Sequence, residues 1–188
     1  MKITLTSAIL CSALLSIPAL AQEMVSVPHF DSVGLEGGGH VVVRYGDVQQ
    51  VRLIQGSTQF TRFTVDDGHN LRIEACRGDC PRHYDLHVEI VTPQIKGLAV
   101  DGGGAIESEG NFPASHGLDL AIEGGGDIDA RAMDAQRAEA AINGGGLIRV
   151  RAEGELTAAI NGGGNIRYWG NPRVTQAIDG GGEVQRGE

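Results

Sequence analysis

The chain is poor in lysine and in aromatic residues. Of its 15 basic residues only Lys2 and Lys96 are lysines, and the formal net charge is −9. An acidic surface repels phosphate groups, which argues against nucleic acid and anionic membranes as partners. Aromatic residues make up 4% of the sequence, so Tyr168 and Trp169 are expected to pack within the protein rather than to form a sugar-stacking surface.

The one long apolar run lies at the N-terminus. Lys2 precedes the uncharged stretch from Ile3 to Leu20, and Ala19-Leu20-Ala21 is a small-x-small cleavage pattern. This combination predicts a signal peptide at residues 1–21 and a mature chain that begins at Gln22. A membrane anchor is the alternative, and the polar residues of the stretch argue against it. No later segment could span a bilayer, so we expect a periplasmic, outer-surface or secreted protein.

Two cysteines, Cys76 and Cys80, follow the predicted cleavage site. In an oxidising compartment such a pair is expected to form a disulfide. Residues four apart on a straight strand lie about 13 Å from each other, which is too far to bridge. The intervening Arg77-Gly78-Asp79 must therefore turn the chain. A zinc half-site is the alternative.

Glycine is concentrated in six Gly-Gly-Gly triplets, which hold 18 of the 29 glycines. The last five triplets begin at Gly102, Gly124, Gly144, Gly162 and Gly180, at spacings of 22, 20, 18 and 18 residues. An apolar residue lies two positions before the first glycine of each triplet, and another lies two positions after its last glycine. Single β-branched residues between small or polar ones predict strands, and the triplets predict turns.

These repeats predict an all-β fold whose C-terminal half, residues 98–188, is a parallel β-helix or solenoid with coils of 18–22 residues. Stacked coils would bury the residues before the triplets as a core ladder: Ile122, Ile142, Ile160 and Ile178. Residues 22–97 instead show short alternating segments separated by turn signals, and we predict antiparallel hairpins there. Residues 130–141 are the only candidate helix, and the repeat pattern around them favours a longer loop of a coil instead.

Several motifs together resemble the putative auto-transporter adhesin head family with the GIN domain, a domain of unknown function. They are Phe30-Asp31-Ser32-Val33, Leu71-Arg72-Ile73, Val88-Glu89-Ile90-Val91-Thr92-Pro93, the apolar-x-Gly-x-Gly-x-Ile/Val repeats and Tyr168-Trp169-Gly170-Asn171-Pro172. The resemblance covers residues 30–188, so residues 22–188 form one GIN-like domain in this interpretation. It implies a β-helical domain that is secreted or belongs to the cell envelope. The chain departs from the family in having Gly-Gly-Gly where Ser-Gly-Ser-Gly is common.

Two groups of side chains could bind metal. His83, Asp85, His87 and Glu89 alternate on one face of a predicted strand, as zinc ligands can, although a solvated strand face has the same pattern. The residues just before the last five triplets would stack, and calcium would relieve the repulsion between Asp101 and Glu123. The Gly-Gly-x-Gly-x-Asp calcium motif is absent, so we expect no bound metal and no cofactor.

The expected function is that of a non-catalytic binding or structural module. Its partner would be a protein or polysaccharide of the cell envelope, or a second copy of the chain. The expected binding face includes Ala121, Ala141 and Ala159, which alternation places outward beside the ladder, with Ala99 and Ala177 in the same column. The alternative is a polysaccharide-active lyase or hydrolase with a solenoid groove, in which Arg149, Arg151 and Arg167 would act with carboxylates. No Gly-x-Ser-x-Gly, phosphate-loop or His-Glu-x-x-His motif supports catalysis.

Overall fold

The computed structural model describes residues 22–188, and these form an all-β structure. No helix occurs in this range, so the all-β prediction is confirmed. The predicted signal peptide, residues 1–21, lies outside the described residues.

Fifteen strands follow one another along the chain. The first seven are β1 (Glu23–Val25), β2 (Ser32–Gly37), β3 (His40–Tyr45), β4 (Gln50–Gln55), β5 (Arg62–Val65), β6 (Asn70–Glu74) and β7 (His87–Thr92). The remaining eight are β8 (Gly97–Gly102), β9 (Ala105–Glu109), β10 (Ser115–Gly124), β11 (Asp127–Gly144), β12 (Leu147–Gly162), β13 (Asn165–Trp169), β14 (Arg173–Gly180) and β15 (Glu183–Arg186). The segment considered as a helix lies within β11.

All fifteen strands belong to one sheet, in which successive glycine repeats pair in parallel. The strands that precede the triplets pair in the order β2, β8, β10, β11, β12 and β14. The strands that follow the triplets pair in the order β3, β9, β11, β12, β13 and β15. Strands β11 and β12 take part in both series because each runs from one triplet to the next.

The N-terminal half differs from the predicted set of antiparallel hairpins. Antiparallel pairing is confined to β1 with β4, β4 with β7 and β5 with β6. Strands β2 and β3 flank the first triplet and join the parallel series, with Gly37 opposite Gly102. Strands β6 and β7 extend it further, in parallel with β2 and β3. The physical reason is that the first triplet has the same apolar alternation on both sides as the other five. The proposed boundary at residue 97 stays a prediction.

The glycines of each triplet have different structural roles. The first glycine has a positive φ, between 95° and 132°, which L-residues with a side chain rarely adopt. In the last five triplets the third glycine lies against the preceding repeat: a Cβ on Gly146 would come 2.7 Å from the Ile122 methyl group. The middle glycine has open space around it. Backbone hydrogen bonds join consecutive turns, for example from Gly125 N–H to the Gly102 carbonyl at 2.9 Å.

The core is a set of aliphatic columns between the two strand series. Ile122, Ile142 and Ile160 are 1–2% exposed, and the residues across the core from them, Ile128, Ile148 and Ile166, are at most 1% exposed. Ile178 departs from the predicted ladder because it is 39% exposed. It lies on β14, which within the described residues pairs with β12 alone, so no strand of residues 22–188 covers the outer side of Ile178.

Candidate binding groove

A column of alanines runs across the outer face of the sheet. Ala99, Ala121, Ala141, Ala159 and Ala177 are paired from strand to strand, and all five are exposed. Strand alternation places each of them next to a buried residue of the core column. The strands of the N-terminal half therefore leave this face uncovered.

Polar residues border the alanine column on both sides. One border follows the residues just before the triplets: Asp101, Glu123, Asn143, Asn161 and Asp179. The other border consists of the outward residues two positions before the alanines: Asp119, Glu139, Thr157 and Thr175. All these border residues are exposed. We call this surface, the five alanines with both borders, the alanine groove.

The alanine groove contains three shallow cavities. One, of about 370 Å³, lies over the alanines from Ala121 to Ala177. A second, of about 480 Å³, spans Ala99 to Ala141 and reaches Asp119 and Glu139. The third, of about 330 Å³, continues past Ala99 to Arg72. The cavities share alanines, so they form one continuous depression across the repeats.

The groove extends into the N-terminal half, which sequence reasoning missed. Gly34 lies opposite Ala99, and Arg72 lies opposite Gly34 in the same column. The signal was present in the sequence: Val33-Gly34-Leu35-Glu36-Gly37 aligns with Leu98-Ala99-Val100-Asp101-Gly102. The floor therefore changes from small residues to an arginine at this end.

The electrostatic character of the groove is acidic. Within the described chain, none of its border carboxylates forms an ion pair with an arginine or lysine; these are Asp101, Asp119, Glu123, Glu139 and Asp179. At the N-terminal end of the groove, Arg72 forms an ion pair with Glu36 at 2.7 Å. Unneutralised carboxylates along a depression create a negative potential that attracts cationic groups. The arrangement can therefore bind a partner that presents a flat surface with positive charges.

On the opposite face of the molecule, arginines and carboxylates neutralise one another. Arg149 binds Asp127 at 2.7 Å, and Arg151 binds Asp134 at 3.2 Å. Arg131 binds Asp129 at 2.6 Å. Burial opposes the ionisation of Asp129, but hydrogen bonds from Arg131 and the charges of Arg131 and Arg149 outweigh it and hold the pKa of Asp129 below its usual value. Two of the three arginines considered for catalysis are thus engaged in ion pairs; Arg167 is exposed on this face.

The predicted His83, Asp85, His87 and Glu89 face is only partly formed. Strand β7 begins at His87, so His83 and Asp85 lie before it and are exposed. His87 instead packs beside His40, with ring centroids 5.2 Å apart. Glu89 binds Arg44 at 3.1 Å and Arg52 at 3.0 Å. Within residues 22–188 no three His, Cys, Asp or Glu side chains are grouped closely enough to hold a metal ion.

Two further predicted features have defined surroundings. Cys76 and Cys80 form a disulfide with a Cα–Cα distance of 6.1 Å, and Gly78 between them has a positive φ of 83°. Trp169 packs beneath the Arg131 guanidinium, 5.1 Å from the ring centroid, and donates a hydrogen bond to the Glu188 carbonyl. A Cβ on Gly187 would collide with the Trp169 ring, so the chain end covers one side of this indole.

Comparison with known proteins relates the repeats to adhesins. A family model described as "Putative auto-transporter adhesin, head GIN domain" matches residues 115–172, which span β10 to β13. The resemblance seen in the sequence is confirmed for this segment. No curated protein matches the chain. In the described residues no helix is long and apolar enough to cross a membrane.

One solved structure of a putative bacterial adhesin shares the fold, and two others show a weaker likeness. A putative adhesin from Bacteroides fragilis is similar to this chain with a TM-score of 0.56 and 17% identity, over 90% of this chain and 98% of that one. Putative adhesins from Parabacteroides merdae and Parabacteroides distasonis have TM-scores of 0.43 and 0.41, with 14% and 20% identity. Each of these two matches covers 89% of this chain, and they cover 96% and 97% of the respective adhesin chains. At these identities the first likeness establishes the fold alone.

Proposed function

We propose that this chain is a non-catalytic, adhesin-like binding module whose glycine repeats wind as a β-solenoid and whose alanine groove holds an extended basic polypeptide segment. The observation that carries this proposal is the groove itself: five paired, exposed alanines lie between two rows that include unneutralised carboxylates.

The shape of the groove favours an extended partner. Five strands spaced about 4.8 Å apart make a track of roughly 20 Å, the length of about six residues of extended chain. Alanine loses no side-chain entropy when it is covered, so contact over this floor costs little. Bulkier or branched partners would collide with the borders of Glu123 and Glu139.

The charge of the groove favours a basic partner. Carboxylates on both borders can bind lysine or arginine side chains that project from either edge of an extended segment, and they would speed its association. The alternative of a polysaccharide-active enzyme has less support, because Arg149 and Arg151 already bind Asp127 and Asp134.

Blocking the groove should abolish binding of a basic extended peptide. The probe is a labelled peptide of alternating lysine and threonine. The comparison peptide has glutamate in place of lysine. In Ala141→Arg/Ala159→Arg, two long cations fill the floor, and we expect affinity for the lysine peptide to fall at least about tenfold. Fluorescence anisotropy measures this. Ala141→Gln/Ala159→Gln fills the same space without charge and separates shape from electrostatics.

The matched control is Asn165→Arg, which adds arginine on the strand series that follows the triplets. It should bind the lysine peptide like the unmodified protein, and all variants should keep the same melting temperature. Equal binding of the glutamate peptide, or unchanged binding by the arginine double variant, would contradict the proposal. If the protein binds a polysaccharide but not the peptide, and the same double variant loses that binding, the groove is the binding site but the proposed polypeptide ligand is wrong.

We also propose that the protein is exported. A disulfide between Cys76 and Cys80 suits an oxidising compartment, and the N-terminal sequence pattern suits a cleaved signal peptide. Mass spectrometry of the chain produced with its own N-terminus in a secreting host should give the mass of residues 22–188 with the disulfide intact. A mass that retains residues 1–21 would contradict cleavage.

A further inference from the structure

Strand β14 forms an open edge of the sheet. It pairs with β12 on one side and with no strand on the other in the part of the chain described. Its inward residues therefore lack a covering repeat: Ile178 is 39% exposed, whereas Ile160 beside it is 2% exposed. An unpaired strand edge presents free backbone donors and acceptors together with this apolar surface.

The opposite end of the sheet is closed differently. Its edge strands are β1 and β5, which have three and four residues and pair antiparallel with β4 and β6. Short edge strands are a common way in which proteins limit pairing with other chains. Strand β14 is twice as long as β5, with eight residues, and so offers a much larger edge to another strand.

The sequence of β14 is complementary to itself. In an antiparallel pair centred on Gln176, Arg173 of one copy lies opposite Asp179 of the other, and Val174 lies opposite Ile178. Val174, Gln176 and Ile178 all lie on the inward face, since they pair with Leu156, Ala158 and Ile160, and directly opposed residues must share a face. Moving the centre to Thr175 or Ala177 keeps the faces matched but separates Arg173 from Asp179.

We propose that two copies of this protein associate through β14, antiparallel and centred on Gln176. This association goes beyond the proposed function and uses the open edge of β14, where Asp179 belongs both to this edge and to one border of the alanine groove. Backbone hydrogen bonds would continue the sheet from one copy into the other. The exposed Ile178 would gain the apolar neighbour that each other isoleucine of its column receives from the next repeat, and two Arg173–Asp179 pairs would select the register.

Charge exchange tests this register. We expect the protein to form dimers in sedimentation velocity experiments over a range of concentrations. Arg173→Asp or Asp179→Arg alone turns both attractions into repulsions, and each should raise the dimer dissociation constant at least about tenfold. The double variant Arg173→Asp/Asp179→Arg restores opposite charges and should return the constant to within about threefold of the original.

A matched control and a cross-link complete the test. Arg137→Asp reverses an arginine that also lies beside Glu155 but one repeat further inside, and it should leave dimerisation unchanged. Gln176→Cys should form an intermolecular disulfide on mild oxidation, because directly opposed residues in an antiparallel pair lie about 5 Å apart. Thr175→Cys should cross-link much less, because position 175 of one copy lies opposite position 177 of the other, so the two introduced cysteines are two residues out of register.

The outcomes separate this interface from the alanine groove. Blocking the groove with Ala141→Arg/Ala159→Arg should not affect dimerisation. A protein that stays monomeric at about millimolar concentration, where even weak pairs form, would overturn the proposal. Dimers that persist in both single charge variants, or that are not rescued in the double variant and do not cross-link through Gln176→Cys, would also overturn it.

Discussion

Replacing Ile142 with aspartate is expected to unfold much of the domain at temperatures where the unmodified protein is stable. Ile142 is 2% exposed and lies between Ile122 and Ile160 in the core column. The change removes a buried aliphatic side chain and places a carboxylate where no partner can bind it, which together cost roughly 4–6 kcal/mol. For a chain of this length we expect the melting temperature to fall by about 10–20 °C.

Asn143→Asp is the matched control for this variant. It introduces the same side chain one residue later, at an exposed position on the border of the alanine groove. Surface changes of this kind usually alter stability by less than about 0.5 kcal/mol. Thermal unfolding followed by circular dichroism compares the two. If Ile142→Asp melts within a few degrees of Asn143→Asp, that result would contradict the burial of Ile142 in the core.

The second large effect is expected at the first glycine of a triplet. Gly124 has a φ of 108°, and a Cβ there would lie 2.8 Å from the Gly102 carbonyl oxygen. That oxygen also accepts the hydrogen bond from Gly125, so the turn cannot move away without losing the bond. Gly124→Ala should therefore destabilise the protein by roughly 2–4 kcal/mol.

Gly125→Ala tests whether this cost arises from the turn itself or from any added methyl group. The neighbouring position has nothing within 4 Å of an added Cβ and no positive φ. We expect its unfolding free energy in urea to stay within about 0.5 kcal/mol of the original. Equal losses in the two variants would show that the backbone conformation of Gly124 is not what limits substitution.

Much of the repeat region could be predicted because its information is local. A period of two places Ile142 inward and Ala141 outward, and a triplet every 18–22 residues specifies where the chain turns. The first triplet was harder to place, because 65 residues separate Gly37 from Gly102 and strands β4 to β7 lie between them. Sequence periodicity does not indicate which strands, distant along the chain, pair with those that flank the first triplet.

Other differences depend on neighbours rather than on sequence pattern. Ile178 holds the same position before its triplet as Ile160, but its exposure depends on the strand that would lie beyond it. His87 was grouped with His83 by alternation, whereas the parallel pairing of β3 with β7 places it beside His40. The repeats predicted one border of the groove, the residues just before the triplets. The other border, which contains Asp119 and Glu139, required the strand register.

The middle glycines of the triplets form a row of exposed, regularly spaced sites. Gly38, Gly103, Gly125, Gly145, Gly163 and Gly181 are all exposed, and an added Cβ at any of them would meet nothing within 4 Å. Because consecutive turns follow the strand spacing, these sites lie in a row at steps of about 4.8 Å. Cysteine introduced at any two of them would carry spectroscopic labels at separations set in advance by the number of intervening repeats.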